Sequence, residues 1–284
     1  MIIEELYKIF QNNPIICTDT RKISKGSIFF ALKGENFNGN EFSNIALSKG
    51  CSYAIIDQKE YVVSNKTIYV KDVLATLQNL AKYHRKKLTI PVIGITGTNG
   101  KTTSKELVSI VLNSEKKCYA TAGNLNNHIG VPLSILEIDA SYDIAIIEMG
   151  ANHQGEIKFL CDICQPSHGV ITNIGSAHLE GFGSEETIIN TKNELYQYIH
   201  KTKGLIFTNE DDNLLNQLSN NIKKITYGKK GQVYGKILST ENLIKIKYLS
   251  HDITTNLVGD FQFYNIMLAI CVGNYFKISI KNIK

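Results

Sequence analysis

The sequence predicts an α/β protein in two parts, a small amino-terminal α/β domain followed by a larger domain on a mostly parallel sheet. Three observations carry this. Short apolar runs of strand length alternate with helical patterns along the whole chain. One such run, Val92-Ile93-Gly94-Ile95-Thr96, passes through the Gly-rich turn Gly97-Thr98-Asn99-Gly100 directly into a helical pattern. Between the two parts, Leu88-Thr89-Ile90-Pro91 breaks the alternation, giving domains over 1–88 and 89–284.

In the first part, Gly26–Leu32 reads as a strand, Glu41–Ser48 as a helix closed by Gly50, and Ser52–Ile56 and Thr67–Val70 as further strands. Asp72 stands as N-cap of a helix whose apolar residues Val73, Leu77, Leu80 and Ala81 share one face. Lys82, His84, Arg85, Lys86 and Lys87 end it near its negative pole. Asp19-Thr20-Arg21 and Lys33-Gly34 fall in loops, where Arg and backbone donors suit a phosphate or carboxylate. Solvated turn charges are the alternative there.

In the second part, Ser104–Asn113 is the helix after the Gly-rich turn, and Asp143–Ile147 a strand with Glu148 at its carboxyl end. His168–Ile174 is the next strand, followed by Gly175–Glu180 and a helix containing Thr191–Glu194. In a parallel sheet of this kind ligands sit at the carboxyl ends of the strands. Gly97 and Gly100 let backbone N–H groups of the loop, including those of Thr98, Asn99 and Thr103, crowd an anion at the positive end of the helix. Lys101 reaches outer phosphates, and the Thr102 hydroxyl suits Mg²⁺, as does a carboxylate at position 148. The literal Walker spacing is not met, because Ile95 stands five before Gly100, so a plain helix-capping turn stays open. A lone His178 after a strand is more often just a loop residue, and polar residues at successive strand ends shift that balance.

Composition narrows the classes. With 43% hydrophobic and 20% charged residues in 284, the chain is an ordinary globular protein long enough for two cores. The net charge of +5 suits acidic ligands such as nucleotides, while no nucleic-acid module is recognisable. The acidic start Met1-Ile2-Ile3-Glu4-Glu5 lacks the basic region of a signal peptide, and no apolar stretch approaches a membrane span. The expectation is a cytoplasmic protein without membrane insertion, and a monomer. Six cysteines at 17, 51, 118, 161, 164 and 271 read as reduced thiols. The Cys161-Asp162-Ile163-Cys164 pair, without a second pair to complete a zinc site, reads as helix packing.

Five segments in order resemble the successive motifs of the Mur ligases: Gly97–Thr103, Gly123–Pro132, Glu148–Asn152 with Gly155-Glu156-Ile157, Thr172–Glu180, and Lys192-Asn193-Glu194. Asp19-Thr20-Arg21 and Lys25–Leu32 with Gly34 resemble the first domain of the same enzymes, where the UDP portion of the substrate sits. The Glu-Met-Gly-Ala-Asn stretch is similar to members that add D-alanyl-D-alanine to the UDP-N-acetylmuramoyl tripeptide in peptidoglycan precursor synthesis, and so in cell-wall growth. The resemblance implies an ATP- and Mg²⁺-dependent ligase working through an acyl phosphate. It implies that Lys101 and the loop amides hold the ATP phosphates, and that Thr102 and Glu148 hold one Mg²⁺. Glu148, His178 and a carbamylated Lys192 would surround a second, and Asn265 would contact adenine. Thr20, Arg21 and Lys33 would hold the UDP-peptide, and Asn126 and Asn127, with His128 beside them, would lie near the phosphates or the sugar-peptide.

Phe261 and Gln262 replace the His-Asn pair usual in the family before the residue matching Asn265. Family members also have a third, carboxy-terminal domain, and the sequence stops at Lys284, so a chain lacking that domain is expected. Two readings stand beside the ligase: a sibling enzyme that adds a different amino acid, and a non-catalytic module that holds the nucleotide and UDP-muramoyl peptide.

Overall fold

The computed structural model describes residues 2–175 and 182–284. The chain divides into two compact units, one running to Thr89 and including His128–Asp139, the other made of Ile90–Asn127 and Ala140–Lys284.

The first unit contains α1 (Ile3–Asn12), β1 (Ile16–Cys17), β2 (Ile28–Phe30), β3 (Lys33–Gly34), β4 (Phe37–Asn38), α2 (Ser43–Ser48), β5 (Tyr53–Ile56), β6 (Thr67–Tyr69) and α3 (Val73–Arg85). Strands β1, β2, β5 and β6 form a parallel four-stranded sheet in the order β1-β2-β5-β6. Its central strands are apolar on both faces, as a sheet covered by helices requires. Cys17, Phe29, Ala54 and Ile56 pack with Ala31, Ala46 and Cys51 into one core. The alternate residues of β2 face the other way, where α3 packs.

Asp72 caps α3 as its sequence position implies, its carboxylate accepting the Ala75 N–H at 2.8 Å. The basic end of α3 differs from expectation, because His84 and Arg85 are buried. His84 lies 3.2 Å from the Tyr7 hydroxyl and 2.6 Å from the carbonyl oxygen of Ile138, and burial lowers its pKa. Ile138 follows α5 (Gly130–Leu136), which packs on α3 although it lies beyond Pro91 in sequence. The boundary at 88/89 therefore misses one excursion of the chain back into the first unit.

The second unit opens with β7 (Val92–Thr96), α4 (Lys101–Asn113) and β8 (Cys118–Ala120), and after α5 continues with β9 (Ile144–Glu148), α6 (Glu156–Cys164) and β10 (His168–Ile171). Then come α7 (Glu185–Lys201), β11 (Leu205–Asn209), α8 (Asn213–Leu218), β12 (Lys224–Gly228), β13 (Val233–Ser239), β14 (Lys245–Tyr248), β15 (His251–Thr254), α9 (Gln262–Tyr275) and α10 (Ile280–Ile283). The nine strands order as β15-β14-β13-β12-β11-β10-β7-β9-β8, parallel from β8 to β13 and antiparallel at the β13-β14-β15 edge. Strand β7 is buried throughout and lies between β9 and β10, so the chain leaves it first to one side and later to the other. That reversal is a topological switch point, where the loops at the carboxyl ends of the strands spread apart to admit a ligand.

Helix α4 begins at Lys101, three residues earlier than the sequence pattern indicates, because Gly100 takes up the left-handed conformation (φ 74°) that turns the loop into it. Its Val108 and Leu112 pack beneath the sheet with the nearly all-apolar α9. Cys161 and Cys164 are buried in α6 with both sulfurs within 3.9 Å of Met149 Sδ, and all six cysteines are free. Among the described residues no helix is long and apolar enough to cross a membrane.

Candidate functional site

The loop between β7 and α4 is held by the segment after β10. Asn173 O accepts the Thr98 N–H at 3.0 Å, Asn173 Oδ1 accepts the Asn99 N–H at 3.0 Å, and the Thr172 hydroxyl donates to Asn99 O at 2.7 Å. This bracing explains Gly97. Its φ is 145°, and a Cβ there would lie 2.0 Å from Thr172 Oγ1. The first backbone bond of α4 runs from Ser104 N–H to Gly100 O, so the N–H groups of Lys101, Thr102 and Thr103 precede it and carry the positive end of the helix dipole. Lys101 folds back over the loop, its ammonium donating to Gly97 O and Thr98 O, both at 2.9 Å. Burial lowers its pKa, and the nearby Glu148 carboxylate opposes that.

Glu148, the last residue of β9, is 1% exposed. The Thr102 hydroxyl donates to its Oε2 at 3.0 Å, and the Asn126 amide donates to its Oε1 at 2.9 Å. Asn126 is thereby placed on Glu148 itself, a role its position in an Asn-rich turn does not reveal. Asn127 is exposed. Sequence reasoning passed over Lys105, whose side chain is fully buried and lies 3.9 Å from Glu148 Oε2. The signal was available: position 105 falls on the buried face of α4 with Ser104, Val108, Val111 and Leu112, where a charge is out of pattern.

Helix α7 carries Lys192, 4% exposed, with its ammonium 3.5 Å from Ala151 O and 5.5 Å from the centre of the Phe182 ring. Burial, reinforced by the Lys101 cation, pushes the Lys192 pKa down to about 8, against the pull of Glu156 and Glu194. Glu194 accepts the N–H groups of Gly155 and Lys158 at 2.7 and 2.8 Å and so satisfies the amino terminus of α6. Glu156 in turn accepts the N–H groups of Asn152 and His153. The Glu148–Asn152 and Lys192–Glu194 segments are thus tied by backbone donors. His178 lies outside the described residues.

Asn265, in the first turn of α9, closes the other side of the loop. Its amide donates to Gln262 Oε1 at 2.8 Å and its oxygen accepts from Ser104 Oγ at 2.9 Å. Beside it is a cavity of about 720 Å³ lined by Asn99, Thr103, Asp211, Phe261, Gln262 and Asn265, among others. The Phe261 ring is exposed, and Asp211 Oδ1 is buried without a partner. A polar-walled cavity reached from the amino terminus of a helix suits a nucleotide base next to its phosphates.

In the first unit, Asp19, Thr20 and Arg21 line a cavity of about 430 Å³ with Phe29, Phe37 and Phe42. Arg21 pairs with Asp19 through both carboxylate oxygens, at 2.8 Å in the shortest contact, and this holds Asp19 well below the usual carboxylate range. Lys33 does not join them. Its ammonium is 2.9 Å from Asp57 Oδ1, an anchor that also ties Asn40.

Comparison with known protein families matches residues 95–273 to the Mur ligase middle domain and residues 14–95 to the Mur ligase family, catalytic domain. The chain is 35% identical over 271 residues to the UDP-N-acetylmuramoyl-tripeptide--D-alanyl-D-alanine ligase of Bacillus subtilis, and the match covers 93% of this chain and 59% of that protein. The enzyme of the same name from Escherichia coli is 37% identical over 198 residues, covering 70% of this chain and 43% of its own length. Among solved structures, MurF from Acinetobacter baumannii superposes with a TM-score of 0.86 at 28% identity, over 99% of this chain and 66% of that one. MurF from Thermotoga maritima in complex with ADP does so with a TM-score of 0.82 at 30% identity, over 95% and 65%. The chain spans less than two thirds of the length of these relatives. The braced Gly-rich loop, the Thr102–Glu148 pair and the buried Lys192 all lie within the residues matched to the middle domain, and on this match the chain belongs to the Mur ligase family.

Proposed function

We propose that this chain is the UDP-muramoyl-peptide- and ATP-binding part of a ligase that joins D-alanyl-D-alanine to UDP-N-acetylmuramoyl tripeptide, acting as a cytoplasmic monomer in peptidoglycan precursor synthesis. The observation that carries the reading is the Thr102–Glu148 contact at 3.0 Å at the switch point of the sheet, with the half-buried Lys101 acting on Glu148 and the buried Lys192 feeling the Lys101 charge. Two oxygen donors of this kind, one an anion, fit a hard cation that also takes phosphate oxygens. Thr102 and Glu148, with Lys192 as its carbamate and His178, would hold Mg²⁺, which supplies charge neutralisation on the transferred phosphoryl group.

The loop N–H groups and Lys101 bind the β and γ phosphates of ATP, and Asn265 with the Phe261-lined cavity takes the base. The carboxylate of the tripeptide attacks the γ phosphorus and ADP leaves, giving an acyl phosphate. The amine of D-alanyl-D-alanine then attacks the acyl carbon, phosphate leaves with the bonding pair, and an amide forms with loss of the amine proton. Lys101, turned onto the loop and paired electrostatically with Glu148, releases Gly97 O and Thr98 O to reach the phosphates as they arrive. Asp19, Thr20 and Arg21 bind the UDP portion, with Arg21 giving a planar fork to phosphate oxygens.

Isothermal calorimetry tests the core of this. The chain is expected to bind Mg·ATP, and Lys101→Ala to remove most of that binding. Equal affinity in the two proteins would overturn the phosphate-loop assignment.

A further inference from the structure

We propose that Lys105 is a positioning residue that fixes the carboxylate of Glu148 for its metal, an inference that rests on reading Glu148 as a Mg²⁺ ligand. The Lys105 side chain is fully buried, which is costly for an ammonium unless its surroundings require one. Two of its three N–H donors are used, on Thr121 O at 2.7 Å and Glu106 Oε1 at 3.0 Å. Neither partner explains a cation. A backbone carbonyl is satisfied by a neutral donor, and Glu106 is 59% exposed, where an ion pair contributes little. Apolar residues fill the remaining large positions of the buried face of α4, so Met or Leu at 105 would continue it.

The group that matches the charge is Glu148, whose side chain is 2% exposed and whose Oε2 is 3.9 Å from the ammonium. Thr102 and Lys105 stand three apart on one face of α4, so both flank Oε2 while Asn126 holds Oε1. Three groups from two segments define the plane of the carboxylate. Lys105 approaches from the interior, leaving the Thr102 side of the carboxylate to a ligand. Partners of this type, one step behind a metal ligand, commonly change metal affinity by about 10- to 100-fold when removed.

The test is a Mg²⁺ titration of the chain saturated with ADP, paired with ADP affinity in EDTA. Lys105→Met is expected to weaken apparent Mg²⁺ affinity at least about tenfold, while ADP affinity in EDTA stays at the wild-type value. In a Glu148→Gln background, Lys105→Met is expected to cause no further loss, because the two act through one group. A merely structural role would lower both affinities together. Lys105→Gln, which keeps a donor for Thr121 O but no charge, carries the same expectation where Lys105→Met does not fold. If Mg²⁺ affinity falls in Glu148→Gln but is retained in the Lys105 variants, or if the two losses add in full, the positioning role is wrong and the metal reading stands. If Glu148→Gln leaves Mg²⁺ affinity unchanged, the metal reading fails and the positioning role with it.

Discussion

Replacing Lys192 by Met tests the electrostatics of the site without any ligand. An ordinary lysine titrates at 10.5, and burial beside the Lys101 cation brings Lys192 to about 8. Below pH 8 the side chain is charged in both the folded and the unfolded chain, and the folded state bears the whole penalty of burying it. Between pH 8 and 10.5 the unfolded chain keeps the proton that the folded chain has lost, so stability rises with pH through this window. The interval corresponds to about 3 kcal/mol as an upper bound. In CO₂-free, Mg²⁺-free buffer, Lys192→Met is therefore expected to be more stable than the wild type at pH 7, by about 1–3 kcal/mol. The difference should shrink steadily from pH 8 to pH 10. Urea unfolding of both proteins at each pH measures it, and the subtraction removes the titrating groups that do not interact with Lys192. At pH 7 about one Lys192 in ten is neutral, against roughly one in a few thousand for an exposed lysine, which is the condition for reaction with CO₂. Bicarbonate at pH 8 should accordingly stabilise the wild type and not the variant. A stability difference that does not vary with pH would refute the burial argument.

Two further outcomes follow from local geometry. Gly97→Ala places a Cβ 2.0 Å from Thr172 Oγ1 at a φ of 145°, and is expected to cost about 2–4 kcal/mol through backbone strain and loss of the Thr172–Asn99 hydrogen bond. Thermal melts coincident with the wild type would contradict it. Arg21→Ala, which removes an exposed side chain that pairs with Asp19, should leave the melting temperature unchanged and weaken UDP binding by calorimetry; unchanged UDP affinity would remove Arg21 from the proposed site.

Much of the second unit is legible residue by residue. The runs that become β7, β9 and β10 are short, apolar and punctuated by Gly, Pro or a terminal carboxylate, and such strands announce themselves wherever the sheet is covered on both faces. The β13–β15 edge is less so, because Val233–Ser239 alternates exposed and covered residues and is paired on one side in antiparallel fashion. The strand–Gly-rich turn–helix arrangement at 92–113 is legible because its elements, glycines, Lys101 and Thr102 are adjacent in sequence. What brings Asn126 to Glu148, Lys33 to Asp57 and Glu194 to the amino terminus of α6 is long-range pairing, and single residues do not encode their partners. Lys105 is intermediate: its place on an apolar helix face was visible, but the carboxylate that accounts for it comes from a strand 43 residues later.

The return of the chain to the first unit between His128 and Asp139 has a consequence for how the protein is made. Helix α5 packs on α3, its Val131, Ile135 and Leu136 are buried, and Ile138 O meets His84. During synthesis β7, α4 and β8 therefore leave the ribosome before the last piece of the first unit does. Until residue 139 has emerged, the α3 surface that α5 covers has no intramolecular cover, so the amino-terminal unit is completed after the Gly-rich loop before α4 has been made, although most of it precedes that loop in the gene.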